Sequence, residues 1–301
     1  EKILGAGGTA LLWTHLNELK TQLEPTVLSL AFVFLLVGYG TKVGLAPLHN
    51  WLPDAHAEGP TPVSAVLSGL LLNVALYAVI RSKVLVDGAL GTHLAGNLMM
   101  GFGLFSMVVA AFFLSRQKDV KRLFAYSSIE HMGLMTFAFG MGGPVATFAG
   151  LLHMTVHSLT KSAIFFAVGH AAQKTGSQLI ANIRGLIDTN PTIGWGLMLG
   201  SLAILGVPPF GVFASEFLII TTAMHEHPWA TPFLLLALGV AFAAIFSRVQ
   251  EMVFGETTGK RLPHPPALIP VFLHLALVLL LGLYIPPYLA AWYRQAAQLI
   301  G

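Results

Sequence analysis

The 301-residue sequence contains no cysteine. This absence excludes disulfides, thiol catalysis and iron–sulfur clusters held by cysteine, and it leaves no CxxCH motif for covalent haem attachment. Any redox centre that works with this chain must therefore lie in a partner protein.

Charged residues are also scarce. They make up 10% of the chain, whereas soluble domains carry about 25%. Hydrophobic residues reach 55% and the mean hydropathy is +0.75, so the sequence predicts an integral membrane protein. The net charge of +3 does not indicate nucleic-acid binding, because the basic residues are scattered around the ends of apolar segments and form no patch.

The N-terminal region does not resemble a cleavable signal peptide, because its first 25 residues are mixed and polar. The chain begins at Glu1 and not at a methionine. We expect a fragment or a processed chain.

Long apolar stretches predict an all-α, polytopic transmembrane helix bundle of about eight spans, because each crossing needs about 20 apolar residues. The predicted spans are 27–57, 62–82, 95–115, 120–142, 145–172, 193–223, 231–253 and 268–292. The predicted domains are an extramembrane segment at 1–26, a transmembrane domain at 27–292 and a tail at 293–301.

Two of these spans are longer than one crossing requires and are interrupted near the middle. Span 27–57 is interrupted at Gly44 and Pro47, and span 193–223 is interrupted around Pro208 and Pro209. Proline removes a backbone donor and opens a helix. A pair of interrupted spans in corresponding positions is typical of inverted-repeat transporters whose site lies at the breaks.

Each interrupted span carries an ionisable residue, Lys42 in the first and Glu216 in the second. A charge at the bilayer centre costs at least about 2.5–3.5 kcal/mol. We therefore expect both residues to be buried and functional, each with a partner, water or a shifted protonation equilibrium.

The segment "LLHMTVHSLTKSAIFFAVGH" places His153, His157 and Lys161 at intervals of four residues. Such spacing puts the three side chains on one helical face over about 12 Å, where they predict a file of protonatable groups. Zinc binding by the two histidines is an alternative. It is disfavoured by the nearby lysine and by the lack of a carboxylate on that face.

Further candidates lie on neighbouring segments. Glu130 and His131 occur deep in "SSIEHMG", where Glu130 is positioned to pair with Lys161 or Lys42 or to pass a proton between them. His49 follows the first break and is a candidate relay group. Asp54 is a secondary candidate that caps or lines the mouth of the first broken span, and His56 is a further secondary candidate after the break. Arg248, Glu251 and His274 are candidates for an exit or a subunit contact.

Four long motifs carry a family resemblance: "GTKVGLAPLHNWLPDAHAEGPTPVSAVLSG", "KDVKRLFAYSSIEHMGLM", the histidine-lysine segment above and "GVPPFGVFASEF". They resemble the antiporter-like, proton-translocating subunits of respiratory Complex I, energy-converting hydrogenases and multisubunit sodium/proton antiporters. The sequence "SSIEHMG" is most similar to the F-type membrane subunit of formate-hydrogenlyase-like hydrogenases. The resemblance implies an inverted-repeat antiporter-like fold of about fourteen helices, of which this chain matches the last eight.

The resemblance also implies roles for individual residues. Lys42 matches the lysine of the first broken helix, Glu216 matches the acid of the second, and His153, His157 and Lys161 match the central file. Asn73 stands where Complex I relatives often carry a bridging lysine, so the link from Lys42 must pass through water, His49 or Glu130. The glutamate that pairs with the family's first lysine would lie upstream of residue 1.

The function implied is proton translocation in a membrane-bound hydrogenase or Complex I-like oxidoreductase, within the inner membrane of a bacterium or archaeon. Expected partners are other membrane subunits, a peripheral redox arm and the translocated H⁺ or Na⁺. No cofactor is expected in this chain, and nickel–iron, iron–sulfur or flavin centres are expected only in partner subunits. A sodium/proton antiporter subunit without redox partners and a passive membrane anchor remain alternatives.

Overall fold

The computed structural model describes residues 12–257 and 268–301, which form a bundle of α-helices. The helices are α1 (Trp13–Glu18), α2 (Pro25–Val43), α3 (Trp51–Glu58), α4 (Thr61–Val66), α5 (Leu72–Leu90), α6 (Leu94–Leu114), α7 (Val120–Met141), α8 (Gly143–Thr175), α9 (Leu186–Thr189), α10 (Pro191–Ile204), α11 (Gly211–Glu226), α12 (Thr231–Phe254), α13 (Ile269–Leu283) and α14 (Pro287–Ile300). A π-helical turn joins α4 to α5 at Leu67–Leu71. These ranges contain no β-strand, which confirms the predicted all-α class.

Short polar side chains fix where several helices begin. The Glu24 carboxylate accepts a hydrogen bond from the Val27 amide at 2.6 Å at the start of α2, and this bond lowers the pKa of Glu24 below its ordinary value. Asp119 accepts from the Arg122 amide at 2.9 Å at the start of α7. Each carboxylate satisfies an amide that has no partner within its own helix.

Five described helical segments are long and apolar enough to cross a membrane: Pro25–Val43, Thr61–Leu90, Leu94–Leu114, Gly143–Thr175 and Thr231–Phe254. A sixth is counted if α13 and α14, bent by 76°, form one span. All eight predicted segments coincide with helices, but α7 and the pair α10 and α11 are not among these apolar spans. The number eight is therefore not confirmed and stays a prediction.

Both predicted interruptions are present. α2 ends at Val43, the following Gly44 has a left-handed φ of +86°, and the next helix, α3, begins at Trp51. The second break separates α10 from α11 and contains Gly206 with φ +63°. The first break is closed by side chains: the Ala46 amide donates to Ser106 Oγ at 2.9 Å, and Trp51 Nε1 donates to the Thr41 carbonyl at 2.7 Å.

Close backbone contact between α6 and α7 positions the middle of α7. A Cβ on Gly103 would lie 2.5 Å from the Gly133 carbonyl oxygen, and a Cβ on Gly133 would lie 2.7 Å from that of Gly103. Only glycine at both positions permits this approach. Glu130 and His131, just before Gly133, are thereby held inside the bundle.

The 33-residue helix α8 is central, with α4, α7, α10, α11, α13 and α14 packed against it. α7 and α8 are joined by Gly142 and Gly143, both with positive φ, so the two helices turn back on each other and run side by side. α14 extends to Ile300; the predicted tail 293–301 is therefore mostly helical. Residues 1–11 of the predicted extramembrane segment lie outside the described ranges.

Candidate functional site

The predicted file on α8 is fully buried. His153, His157 and Lys161 each have 0% exposed surface, and the two imidazole rings are nearly parallel with centroids 6.3 Å apart. Lys161 Nζ donates to the Phe124 carbonyl at 3.0 Å and lies 5.8 Å from the centroid of the Phe124 ring. These contacts supply partial compensation for burying an amine.

His131 joins this file from α7. Its Nδ1 lies 3.0 Å from His153 Nε2, and its ring centroid lies 5.4 Å from that of His157. His153 Nδ1 in turn lies 2.9 Å from Ser215 Oγ on α11. Three helices thus contribute to one chain of hydrogen bonds.

Glu216, next to Ser215, brings a carboxylate to the same cluster. Its Oε1 lies 3.7 Å from His131 Nδ1, and Oε1 has no hydrogen-bond partner in the described chain. The second break makes room for this carboxylate, because a Cβ on Gly206 would lie 2.0 Å from Glu216 Oε2. The sequence predicted that Glu216 belongs with this break, and the structure additionally places it beside His131.

Glu130 faces the cluster across a small cavity of about 30 Å³ lined by Glu130, His131 and Glu216 with Ile204, Leu205, Leu238 and Ala241. A cavity of this size and polarity accommodates about one water molecule. Across residues 12–257 and 268–301, Glu130 forms no ion pair within 4.0 Å with Lys161 or Lys42. The direct pairing considered from the sequence is therefore absent.

The predicted burial of Lys42 is wrong for the described chain, where its side chain is exposed. The buried face of α2 consists of Phe32, Leu36, Gly40 and Val43, and Lys42 projects away from it. Its ammonium nitrogen lies 5.9 Å from the centroid of the Trp51 ring. A surface cavity of about 450 Å³ adjoins Lys42 and Arg81.

Two histidines near the first break are buried. His49 has no hydrogen-bond partner on either ring nitrogen among the residues described, and it packs against the rings of Phe113 and Tyr126, 6.1 Å from each. His56, a secondary candidate after the break, stacks on Phe165 of α8 with centroids 4.5 Å apart. Phe165 is one helical turn after Lys161, so His56 is closer to the central file than its sequence position indicated.

The other secondary candidates lie away from the cluster and make structural contacts. Asp54 pairs with Arg122 at 2.8 Å, and Glu251 pairs with Arg184 at 3.0 Å; both pairs are largely exposed. Arg248 donates to the carbonyls of Ser115, Gln117 and Ala244. His274 Nδ1 lies 2.6 Å from the Pro270 carbonyl on its own helix.

Sequence reasoning missed several polar groups that lie around the file of His153, His157 and Lys161. Ser68 and Ser128 form a buried hydroxyl pair at 2.8 Å, and Ser128 also donates to the Phe124 carbonyl that Lys161 contacts. Ser158 is another such group, and its Oγ accepts a hydrogen bond at 2.7 Å from Asn73, which the sequence did single out. Single serines in apolar helices give little sequence signal, although Ser215 could have been noticed because it directly precedes Glu216.

A cavity of about 550 Å³ lies at one end of α8 and is lined in part by Lys121, His170, Gln173 and Gln178. Lys121 is buried and donates to the Gly59 carbonyl at 3.0 Å. Gly59 follows the short helix that carries His56. A cavity of this volume that carries polar side chains can hold water between the end of the bundle and the residues around His56.

The central arrangement is suited to moving protons. Imidazole exists in both protonation states near neutral pH and can accept a proton on one nitrogen while releasing it from the other. One buried chain of hydrogen bonds contains or adjoins three imidazoles, an amine and two carboxylates. His131, His153 and Glu216 are also close enough to share a metal ion, with their ligand atoms all within 4.8 Å of one another.

The chain is similar to membrane subunits of known complexes. Residues 3–245 match the family described as NADH:quinone oxidoreductase/Mrp antiporter, TM. A Hydrogenase-4 component F homolog from Methylacidiphilum infernorum is 50% identical over 297 residues, which is 99% of this chain and 62% of that relative. The chain thus spans less than two thirds of the length of this relative.

Two solved structures share the fold. The membrane-bound sulfane sulfur reductase, an archaeal respiratory membrane complex, contains a chain with 31% identity and a TM-score of 0.88, covering 96% of this chain and 59% of that one. Respiratory complex I from Thermus thermophilus contains one with 25% identity and a TM-score of 0.83, covering 95% and 62%. The chain belongs to the NADH:quinone oxidoreductase/Mrp antiporter transmembrane family.

Proposed function

We propose that this chain is the proton-conducting part of an antiporter-like subunit in a membrane-bound hydrogenase or a related respiratory complex. The observation that carries the proposal is the buried contact of 3.0 Å between His131 and His153, with Glu216 on one side and His157 and Lys161 on the other. The 50% identity to a Hydrogenase-4 component F homolog supports the hydrogenase class.

The donor set favours H⁺ over Na⁺ as the transported ion. The groups that meet at the centre are mainly imidazole nitrogens, whereas hard cations prefer clusters of oxygen ligands. Imidazoles in direct contact instead allow a proton to pass from ring to ring. Lys161 and the two glutamates hold or release protons at the ends of this path.

Burial makes the charge state of each group depend strongly on its neighbours. A protonated lysine or an ionised glutamate in this environment requires a compensating charge or water. A charge that arrives next to Lys161 or Glu216 therefore changes which group holds the proton. In our proposal, electron transfer in a peripheral redox arm drives this change, with nickel–iron, iron–sulfur or flavin centres confined to partner subunits.

Lys42 is the proposed coupling residue. Its exposure on the chain surface next to apolar side chains of α2 directs its charge toward a neighbouring helix or subunit. An acidic side chain from such a neighbour would compensate the charge at membrane depth. The proposed location is the inner membrane of a bacterium or an archaeon, where other membrane subunits supply that neighbour.

The cavity lined in part by Lys121 and His170 is the proposed water-filled mouth. From there, His56 leads toward Lys161 along the α8 face that carries Phe165. Secondary candidates such as Arg248 and Glu251 stay outside this path and stabilise the loops at the ends of the helices.

The experiment measures protons translocated per electron by the assembled complex in membrane vesicles, with the full-length subunit. Lys161→Ala is expected to lower this ratio. Lys118→Ala is the matched control, because Lys118 is exposed, and it is expected to leave the ratio unchanged. An undiminished ratio with Lys161→Ala would refute the relay.

A further inference from the structure

The contact between α7, α8 and α11 brings together two imidazoles and one carboxylate. His131 Nδ1 lies 3.0 Å from His153 Nε2 and 3.7 Å from Glu216 Oε1. In a tetrahedral zinc site with bonds of about 2.0–2.1 Å, neighbouring ligand atoms are about 3.4 Å apart. The two observed separations lie on either side of this value. The ligand atoms of the third pair, His153 and Glu216, lie within 4.8 Å of each other, and a rotation of the Glu216 carboxylate brings them closer.

The Glu216 carboxylate is the ligand that sequence reasoning did not place beside these histidines. From the sequence, zinc binding by the histidines of α8 is disfavoured by the nearby lysine and because no carboxylate shares their helical face. In the structure, the Glu216 carboxylate of α11 lies beside His153. The second histidine of the cluster is His131 from α7 and not His157 from α8. Two histidines and one glutamate form a ligand set that zinc uses in proteins, with the fourth position open to water.

The groups around these three residues complete such a site. His153 Nδ1 lies 2.9 Å from Ser215 Oγ, and when it donates to this hydroxyl, its Nε2 carries a lone pair directed at the cluster. Glu216 Oε1 is buried and has no hydrogen-bond partner in the part of the chain described. The adjoining cavity of about 30 Å³ has room for one water as the fourth ligand.

Charge compensation is also available. The ionised Glu216 neutralises one of the two positive charges of a divalent ion, and Glu130 on the wall of the same cavity is positioned to neutralise the second. Buried ions are tolerated when they are paired in this way. Imidazole nitrogens select zinc and similar transition metals over Mg²⁺ or Ca²⁺.

We propose that His131, His153 and Glu216 bind one divalent transition metal ion of the Zn²⁺ class. The ion takes the place of the proton shared by His131 and His153. Bound zinc therefore blocks proton transfer through the cluster, a consequence that rests on the proposed relay function.

The test measures zinc bound per chain in the full-length protein, purified in detergent, equilibrated with Zn²⁺ and then freed of unbound metal. The wild type is expected to retain one zinc. His131→Gln and Glu216→Gln are expected to lose it. His157→Gln is the matched control and is expected to retain it, because His157 lies in the same cluster but outside the ligand set.

Ser215→Ala keeps all three ligands and tests the supporting hydroxyl. It is expected to weaken zinc binding by about tenfold, as for other residues that orient a metal-ligating histidine. Size-exclusion elution checks that each variant remains folded. A wild type that retains no zinc, or a Glu216→Gln variant that retains as much as the wild type, would overturn the site.

Zinc content is measured without turnover, so the result does not depend on the proposed function. If the wild type binds zinc but Lys161→Ala leaves the proton yield normal, the metal site is supported and the relay is refuted. In vesicles, Zn²⁺ is expected to lower the proton yield over the concentration range in which it binds. Binding without this inhibition would overturn the blocking role.

Discussion

His131 Nδ1 and His153 Nε2 lie 3.0 Å apart, although 22 residues separate them in sequence. The contact exists because α7 and α8 turn back on each other at Gly142 and Gly143, and because α6 holds α7 inside the bundle through Gly103 and Gly133. Glycines in the backbone thus determine the geometry on which proton transfer depends.

Gly206→Ala is expected to damage the site through the backbone. The residue has φ +63°, and a Cβ there would lie 2.0 Å from Glu216 Oε2. A non-glycine residue in the left-handed region costs roughly 1–2 kcal/mol, and displacement of the carboxylate adds to this. We expect a lower free energy of unfolding in detergent and reduced proton translocation.

The matched control for this change is Gly239→Ala on α12, where a Cβ would meet nothing within 4 Å. Alanine is about 1 kcal/mol more favourable than glycine in a helix, so this variant is expected to be at least as stable as the wild type. Equal behaviour of the two variants would show that Gly206 does not make room for Glu216.

Ser215→Ala removes the hydroxyl that contacts His153 Nδ1 at 2.9 Å. Loss of one such hydrogen bond costs about 1 kcal/mol, which corresponds to roughly a fivefold lower rate of proton transfer if it acts on the transition state. Initial rates of vesicle acidification measure this effect. A rate equal to the wild type would show that the hydroxyl does not orient the ring.

The variant Lys42→Gln distinguishes a role of Lys42 in coupling from a role in the stability of the subunit. Because Lys42 is exposed and forms no ion pair within 4.0 Å in the described ranges, the free energy of unfolding of the isolated subunit is expected to change by less than about 0.5 kcal/mol. Proton translocation per electron in the assembled complex is expected to fall. A destabilised subunit, or normal coupling, would contradict the proposed role.

Much of this architecture could be predicted from the sequence. Apolar length located the helices, and Pro47, Pro208 and Pro209 located the breaks, because proline and glycine act on the backbone locally. The spacing of His153, His157 and Lys161 predicted a shared buried face, which the structure confirms, because helical periodicity alone determines which residues lie together.

Relationships between helices could not be obtained in this way. The position of Glu216 beside His131 depends on how α11 packs against α7 and α8, and the exposure of Lys42 depends on which face of α2 meets α5. The sequence places His56 only after the first break, and its stacking on Phe165 and its burial follow from how the helices pack. Tertiary contacts of this kind have no periodic signal in one sequence.

The most direct test of the relay is the number of protons translocated per electron by the assembled complex carrying His153→Gln, compared with His274→Gln. Both changes remove one imidazole, but His274 lies on α13 and contacts only its own helix backbone among the hydrogen bonds of the described chain. We predict a marked loss of translocation for His153→Gln and a normal ratio for His274→Gln. A normal ratio for His153→Gln would contradict a proton path through His131 and His153.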